Sequence, residues 1–155
     1  MIDFGFTQDP TAILELKYSD GKYWIEELVY KRGLHNSDIY NFLLPLAGTR
    51  TEIIADSAEP KSIAELKRMG LNAIPSQKGP DSVKFGISSM QSSKLMVTGS
   101  SINTIKEFRN YSYIKTKDGE YIDKPVDNWN HSIDAIRYGI IHLKQKPNFG
   151  HYSIS

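Results

Sequence analysis

Apolar and polar positions alternate over the first thirty residues and then switch to a spacing of three and four. Ile2, Phe4 and Phe6 interleave with Asp3 and Gly5, which predicts a short strand over 1–6. Thr11–Tyr18 (TAILELKY) and Lys22–Tyr30 (KYWIEELVY) predict the next two strands. Asp20-Gly21 between them is a preferred dipeptide of two-residue hairpin turns, so an antiparallel meander of three strands is expected. Beyond it, Ile39, Phe42, Leu43 and Leu46 share one face of a helix over Ser37–Ala47, with Ser37 as its expected cap. Pro45 implies a short or kinked last turn. Thr51–Ala55 (TEIIA) reads as a buried strand ending at Asp56. Pro60 opens a helix that runs through Ser62–Met69 to Gly70, a stop signal, and Leu71–Pro75 is a fifth short strand.

The polar loop Gln77–Pro80 leads into a helix over 81–92. Leu95–Thr98 is a further extended segment, and Ser101–Arg109 a helix capped by Ser101. Tyr111–Thr116 and Glu120–Asp123 flank Asp118-Gly119, a second hairpin signal. The last helix starts near Asn130 and runs to about Lys144, with Ile133, Ile136, Ile140 and Leu143 as its apolar face. Residues 1–145 read as one domain and 146–155 as a polar tail. Strands and helices that alternate after a meander imply right-handed crossovers and parallel strands joining the same sheet. The expected architecture is α/β: a mixed sheet with helices on both faces. Its order is similar to that of the ribonuclease H-like fold.

Composition narrows the function classes. The 155 residues suit one domain, and 39% apolar with 24% charged is neither a disordered nor a membrane composition. Nineteen basic against eighteen acidic residues give a net charge of +1, which excludes a polycation. Neutralising a few carboxylates with metal would leave a remainder that DNA tolerates well. The absence of cysteine excludes disulfides, zinc ribbons and thiol nucleophiles together. No apolar run approaches the roughly 20 residues of a membrane span, and no signal peptide opens the chain, so an intracellular, non-secreted domain is expected. The sequons at Asn110 and Asn130 are then coincidental. A chain that begins directly in a strand suggests an excised C-terminal domain.

Three acidic positions carry the candidate chemistry. Asp3 lies inside an apolar strand, where an aspartate is costly. Asp56 ends the strand IIA, at the carboxyl edge where open α/β sheets place their sites, although it could equally cap the Pro60 region. If strands one and four are parallel neighbours, the two carboxylates approach within a few Å and repel unless a cation is shared or one is protonated. Hard oxygen ligands favour Mg²⁺ or Mn²⁺. His131 and Asp134, three apart, project from one side of the last helix, offset from its apolar face. The alternative for them is a solvated surface pair. His142 lies ~16 Å further along that helix and cannot share a metal with them. His35 and His151 have no partner pattern.

Four segments together resemble the nuclease domain of tailed-phage large terminases. They are Ile2-Asp3-Phe4-Gly5-Phe6 with Thr11-Ala12, Ile54–Lys61 (IADSAEPK), Lys78–Val83 (KGPDSV) and Asn130–Tyr138 (NHSIDAIRY). The resemblance covers nearly the whole chain in order. It implies a ribonuclease H-like endonuclease that cuts concatemeric double-stranded DNA during genome packaging in the host-cell cytoplasm. It places Mg²⁺ or Mn²⁺, as two ions, on Asp3, Asp56 and Asp134, with His131 as the accompanying histidine. The implied partners are duplex DNA, an ATPase motor domain, the portal and the small terminase subunit; the isolated domain is expected to be monomeric. No G-x-x-x-x-G-K-[ST] loop occurs in this chain, so ATP hydrolysis is not expected of it.

Lys78, Lys84 and Arg137 are candidate phosphate contacts, and Arg137 has the equal alternative of an i,i+3 ion pair with Asp134. Asp9-Pro10 reads as a turn, and Glu59 and Glu107 as caps or helix surface. The hairpin over 111–123 carries Lys115 and Lys117, with Lys124 just beyond; it either guides DNA or is an ordinary sheet edge. Two other functions remain open: a catalytically silent DNA-binding or docking module, and another ribonuclease H-like nuclease such as a resolvase or integrase.

Overall fold

The computed structural model describes residues 1–5, 7–115, 118, 120–125 and 129–146, without the side chains of 113–115 and 121–125. Its elements run β1 (Ile2–Asp3), β2 (Thr11–Ser19), β3 (Lys22–Lys31), α1 (Asn36–Ala47), β4 (Ile53–Ala55), α2 (Pro60–Met69), β5 (Ala73–Pro75) and α3 (Ser82–Gln91). Then follow β6 (Lys94–Val97), α4 (Ile102–Asn110), β7 (Tyr113–Lys115), β8 (Tyr121–Pro125) and α5 (His131–Gln145). Six strands form one sheet in the order β5-β4-β1-β2-β3-β6. The meander β1-β2-β3 is antiparallel, whereas β4 and β5 add in parallel on one side and β6 on the other.

Alternating side chains of the sheet feed two separate cores. Ile13 of β2 faces α1 and α2, packing with Ile39, Leu43, Ile63 and Leu66. Its neighbours Ala12 and Leu14 face the other way, onto Ile133, Ile136 and Ile140 of α5 and Met90 of α3. Helices therefore cover both faces, as expected. The shortest strand, β1, sits in the middle and is covered on both sides, with Ile2 fully buried. Gly139 lets α5 lie close on this strand: a Cβ there would stand 2.6 Å from the Met1 sulfur.

Several boundaries differ from the sequence expectation. The first strand stops at Asp3 because the Thr11 side chain captures Gly5, accepting its N–H and donating to its carbonyl, each at 3.1 Å. The Asp9 and Pro10 backbone then packs where a Gly5 side chain would be, and only glycine fits. Helix α1 is capped at His35 rather than Ser37; the Asp38 carboxylate reaches back to the His35 N–H at 2.9 Å. Pro45 is accommodated inside the last turn of α1. Ser101 does precede α4, but its hydroxyl accepts the Glu27 N–H of β3 at 2.8 Å. Glu27 in turn takes the Thr104 N–H and hydroxyl at 2.7 and 2.8 Å, so β3 supplies the cap. The β7–β8 hairpin forms a two-stranded sheet of its own and is no edge of the main one. Lys117, Phe6 and 147–155 lie outside the described residues, as do the side chains of Lys115 and Lys124.

Candidate active site

Parallel pairing of β1 with β4 sets Ile2 opposite Ala55, and the Asp56 N–H donates to the Ile2 carbonyl at 3.0 Å. Asp3 and Asp56 thus leave adjacent strand ends in the same direction. The start of α5 faces them with His131 and Asp134. All four line one open cavity of about 440 Å³, joined by Asp9 and Asn130. Asp134 sits in the first turn of α5, where the helix dipole favours negative charge. Asp56 does not cap α2, whose N-cap is Glu59; its carboxylate accepts the Ala58 N–H at 2.9 Å in the turn before that helix, and the residue lines the cavity.

The carboxylates do not share one environment. Asp3 is 7% exposed. Burial pushes its carboxyl up to about 6, opposed by a hydrogen bond to His131 and reinforced by the negative charges of Asp134 and Asp56. His131 Nδ1 stands 3.0 Å from Asp3 Oδ2, and this pairing raises the imidazole above its ordinary value. Its Nε2 is left toward the cavity, 3.9 Å from Asp9. Asp56 is matched by Lys78 at 2.5 Å, and Asp134 by the Arg137 guanidinium at 2.9 and 3.2 Å.

Of the expected phosphate contacts, Arg137 therefore adopts the ion-pair alternative. It is buried against α3, where Gly86 leaves room for its stem. Lys78 remains partly exposed, close to both Asp56 and the Tyr138 ring. Lys84 is exposed on α3 and does not line the cavity. His142 pairs with Glu52 at 3.1 Å on the far side of the domain.

Two residues that the sequence reading set aside belong to this region. Asp9 lines the cavity. Glu107 is no surface residue: it is fully buried and accepts the Ser132 and Ile133 N–H groups at 2.7 and 3.1 Å and the Tyr30 hydroxyl at 2.8 Å. It caps α5 from α4 and so fixes the helix end that carries His131. Burial pushes its carboxyl up, and the hydrogen bonds hold it back.

The donor set suits a hard cation. Four carboxylates and the Asn130 side chain line the cavity, and the buried Asn130 Oδ1 meets no hydrogen-bond partner among the described residues. Among those residues no three acidic or imidazole side chains stand close enough together to hold a metal ion as placed. Lys78 and Arg137 stand as counter-charges instead.

The chain matches the "Terminase RNAseH like domain" family over residues 3–141. It is 37% identical over 145 residues to the large terminase subunit of Bacillus phage SPP1, covering 88% of this chain and 34% of that protein. Against the PBSX phage terminase large subunit of Bacillus subtilis (strain 168) it is 27% identical, covering 90% and 33%. It thus spans about a third of the length of these relatives. The SPP1 nuclease domain, solved with bound Mn, superposes with a TM-score of 0.80 at 30% identity, covering 91% of this chain and 83% of that one. The nuclease of the thermophilic phage G20c, solved with bound magnesium, shares the fold at a TM-score of 0.62 and 19% identity, covering 90% and 78%.

Proposed function

The chain belongs to the ribonuclease H-like nuclease domains of terminase large subunits, and from that premise we propose that it is a divalent-metal-dependent DNA endonuclease. Its substrate is concatemeric double-stranded DNA, cut during genome packaging in the host cell, as one part of a large subunit that also holds an ATPase motor and meets the portal and small subunit. The single observation that carries the reading is the convergence of two strand ends and one helix start, bearing Asp3, Asp56, Asp134 and His131, on one oxygen-lined cavity. The SPP1 relative with bound Mn supports it.

Asp3, Asp56 and Asp134 would hold Mg²⁺ or Mn²⁺, as two ions, with His131 beside them. Bound there, such ions supply Lewis acidity to a phosphodiester and a water of lowered pKa. The chain does the rest. Asp3 fixes the imidazole through Nδ1, which leaves Nε2 free to hold or pass a proton at the cavity. Glu107 holds the helix end that aims it. Lys78 and Arg137 balance the charge of Asp56 and Asp134, and the partly exposed Lys78 is the one of the two that can also reach a phosphate oxygen.

Supercoiled plasmid incubated with the domain tests this directly. Nicking and linearisation are expected with Mn²⁺ or Mg²⁺, none with EDTA, and a loss of at least ~100-fold in Asp56→Asn with the fold kept. Cleavage by Asp56→Asn at the wild-type rate would overturn the assignment, as would a silent wild type, which favours the docking module.

A further inference from the structure

A second cavity of about 500 Å³ opens beside the first, and His131 and Asp9 form the wall they share. Its lining is of opposite character. Lys31 and Arg32, where β3 ends, and Lys106 of α4 bring three cations to it, together with Trp129. All three cations are exposed, and none forms an ion pair among the described residues. The Lys106 ammonium lies over the Trp129 ring, 4.7 Å from its centroid. Trp129 itself is held at a φ of 63°, a left-handed conformation that a bulky residue adopts only when its surroundings require it. The residue is 38% exposed, so it is not there to fill a core.

We propose that this basic cleft is the track for the DNA backbone next to the bond being cut. Lys31, Arg32 and Lys106 bind its phosphates, and Trp129 serves as the platform that pre-orders Lys106. A charged residue already seated on an aromatic face loses less freedom when a phosphate arrives. Phosphate held here lies one imidazole away from the acidic cavity, so the strand passes from a cationic groove into the carboxylate cluster. This assignment rests on the nuclease reading, but it concerns binding and can be tested without cleavage.

The test is fluorescence anisotropy of a labelled DNA duplex in EDTA, over a range of salt. The Lys31→Ala/Arg32→Ala/Lys106→Ala domain is compared with a control of equal charge loss, Lys22→Ala/Lys94→Ala/Lys144→Ala. The control sites line the opposite end of β3, about 30 Å away, and its flank. The cleft variant is expected to lose roughly ten-fold or more in affinity and to flatten the log–log salt slope by two to three, since each phosphate contact contributes ~0.9. The control is expected to lose less than about three-fold. Equal losses in the two variants, or none in the cleft variant, overturn the proposal. Trp24→Phe leaves Trp129 as the single tryptophan, and its emission should change on saturation with duplex; constant emission with DNA bound places the DNA elsewhere and also overturns it. The two readings fail separately. A wild type that cleaves while the cleft variant binds normally removes only the cleft. A wild type that never cleaves, with binding still lost in the cleft variant, removes only the nuclease.

Discussion

The burial of Asp3 carries a cost to the fold. Its carboxyl titrates near 6 in the folded domain against about 3.8 when exposed, so the ionised form is disfavoured by folding. The penalty is fully present above pH 6 and gone below pH 3.8, the sign expected of a raised carboxylate. It is worth about 3 kcal/mol at most. Asp3→Asn keeps an acceptor for His131 and removes the charge. Without metal, the variant should therefore be more stable than wild type by roughly 1–3 kcal/mol at pH 8, and the two should converge near pH 4. Urea unfolding at both values in EDTA checks this; a gain that persists at pH 4 would mean the charge is not the cause. Asp56 offers no such gain, because Lys78 already balances it.

At the scale of elements, the site depends on how α5 begins. Four N–H groups at a helix start lack helical partners, and here Glu107 supplies an acceptor to two of them from inside the protein. Glu107→Ala strands those two buried donors and takes the acceptor from the part-buried Tyr30 hydroxyl. The expected cost is roughly 3 kcal/mol or more in urea unfolding, with metal-dependent cleavage falling too, while Glu107→Gln retains part of both. Stability equal to wild type in Glu107→Ala would refute the cap. The strands, the order of helices and the acidic residues that line the cavity were legible because each rests on local pattern: alternation around Asp3, the end of IIA at Asp56, the i,i+3 spacing of His131 and Asp134. The caps were not, because their acceptors come from remote elements: Glu27 on β3 serves α4 and Glu107 on α4 serves α5. The same distance hid the basic cleft, whose cations sit at 31, 32 and 106 with no spacing to read. Arg137 had two open readings until its burial against Gly86 selected one.

Across the whole molecule, cations bound by Asp3, Asp56 and Asp134 would tie β1, β4 and α5 together. Ligand at 100 times its Kd adds about 2.7 kcal/mol, which for a domain of 155 residues is roughly 5–10 °C in Tm. Mn²⁺ should produce such a rise in wild type and none in Asp56→Asn; equal rises would locate the ion elsewhere. Among the described elements the central strand β1 comes first and the helix packed upon it, α5, comes last. His131 meets Asp3 across 128 residues of sequence, a long loop to close. On a ribosome, therefore, every strand of the main sheet can emerge while the acidic cavity is still two separate pieces. Until α5 has been made, Asp3 and Asp56 stand at their strand ends without the histidine and the third carboxylate that face them, so the order of synthesis assembles this cavity last.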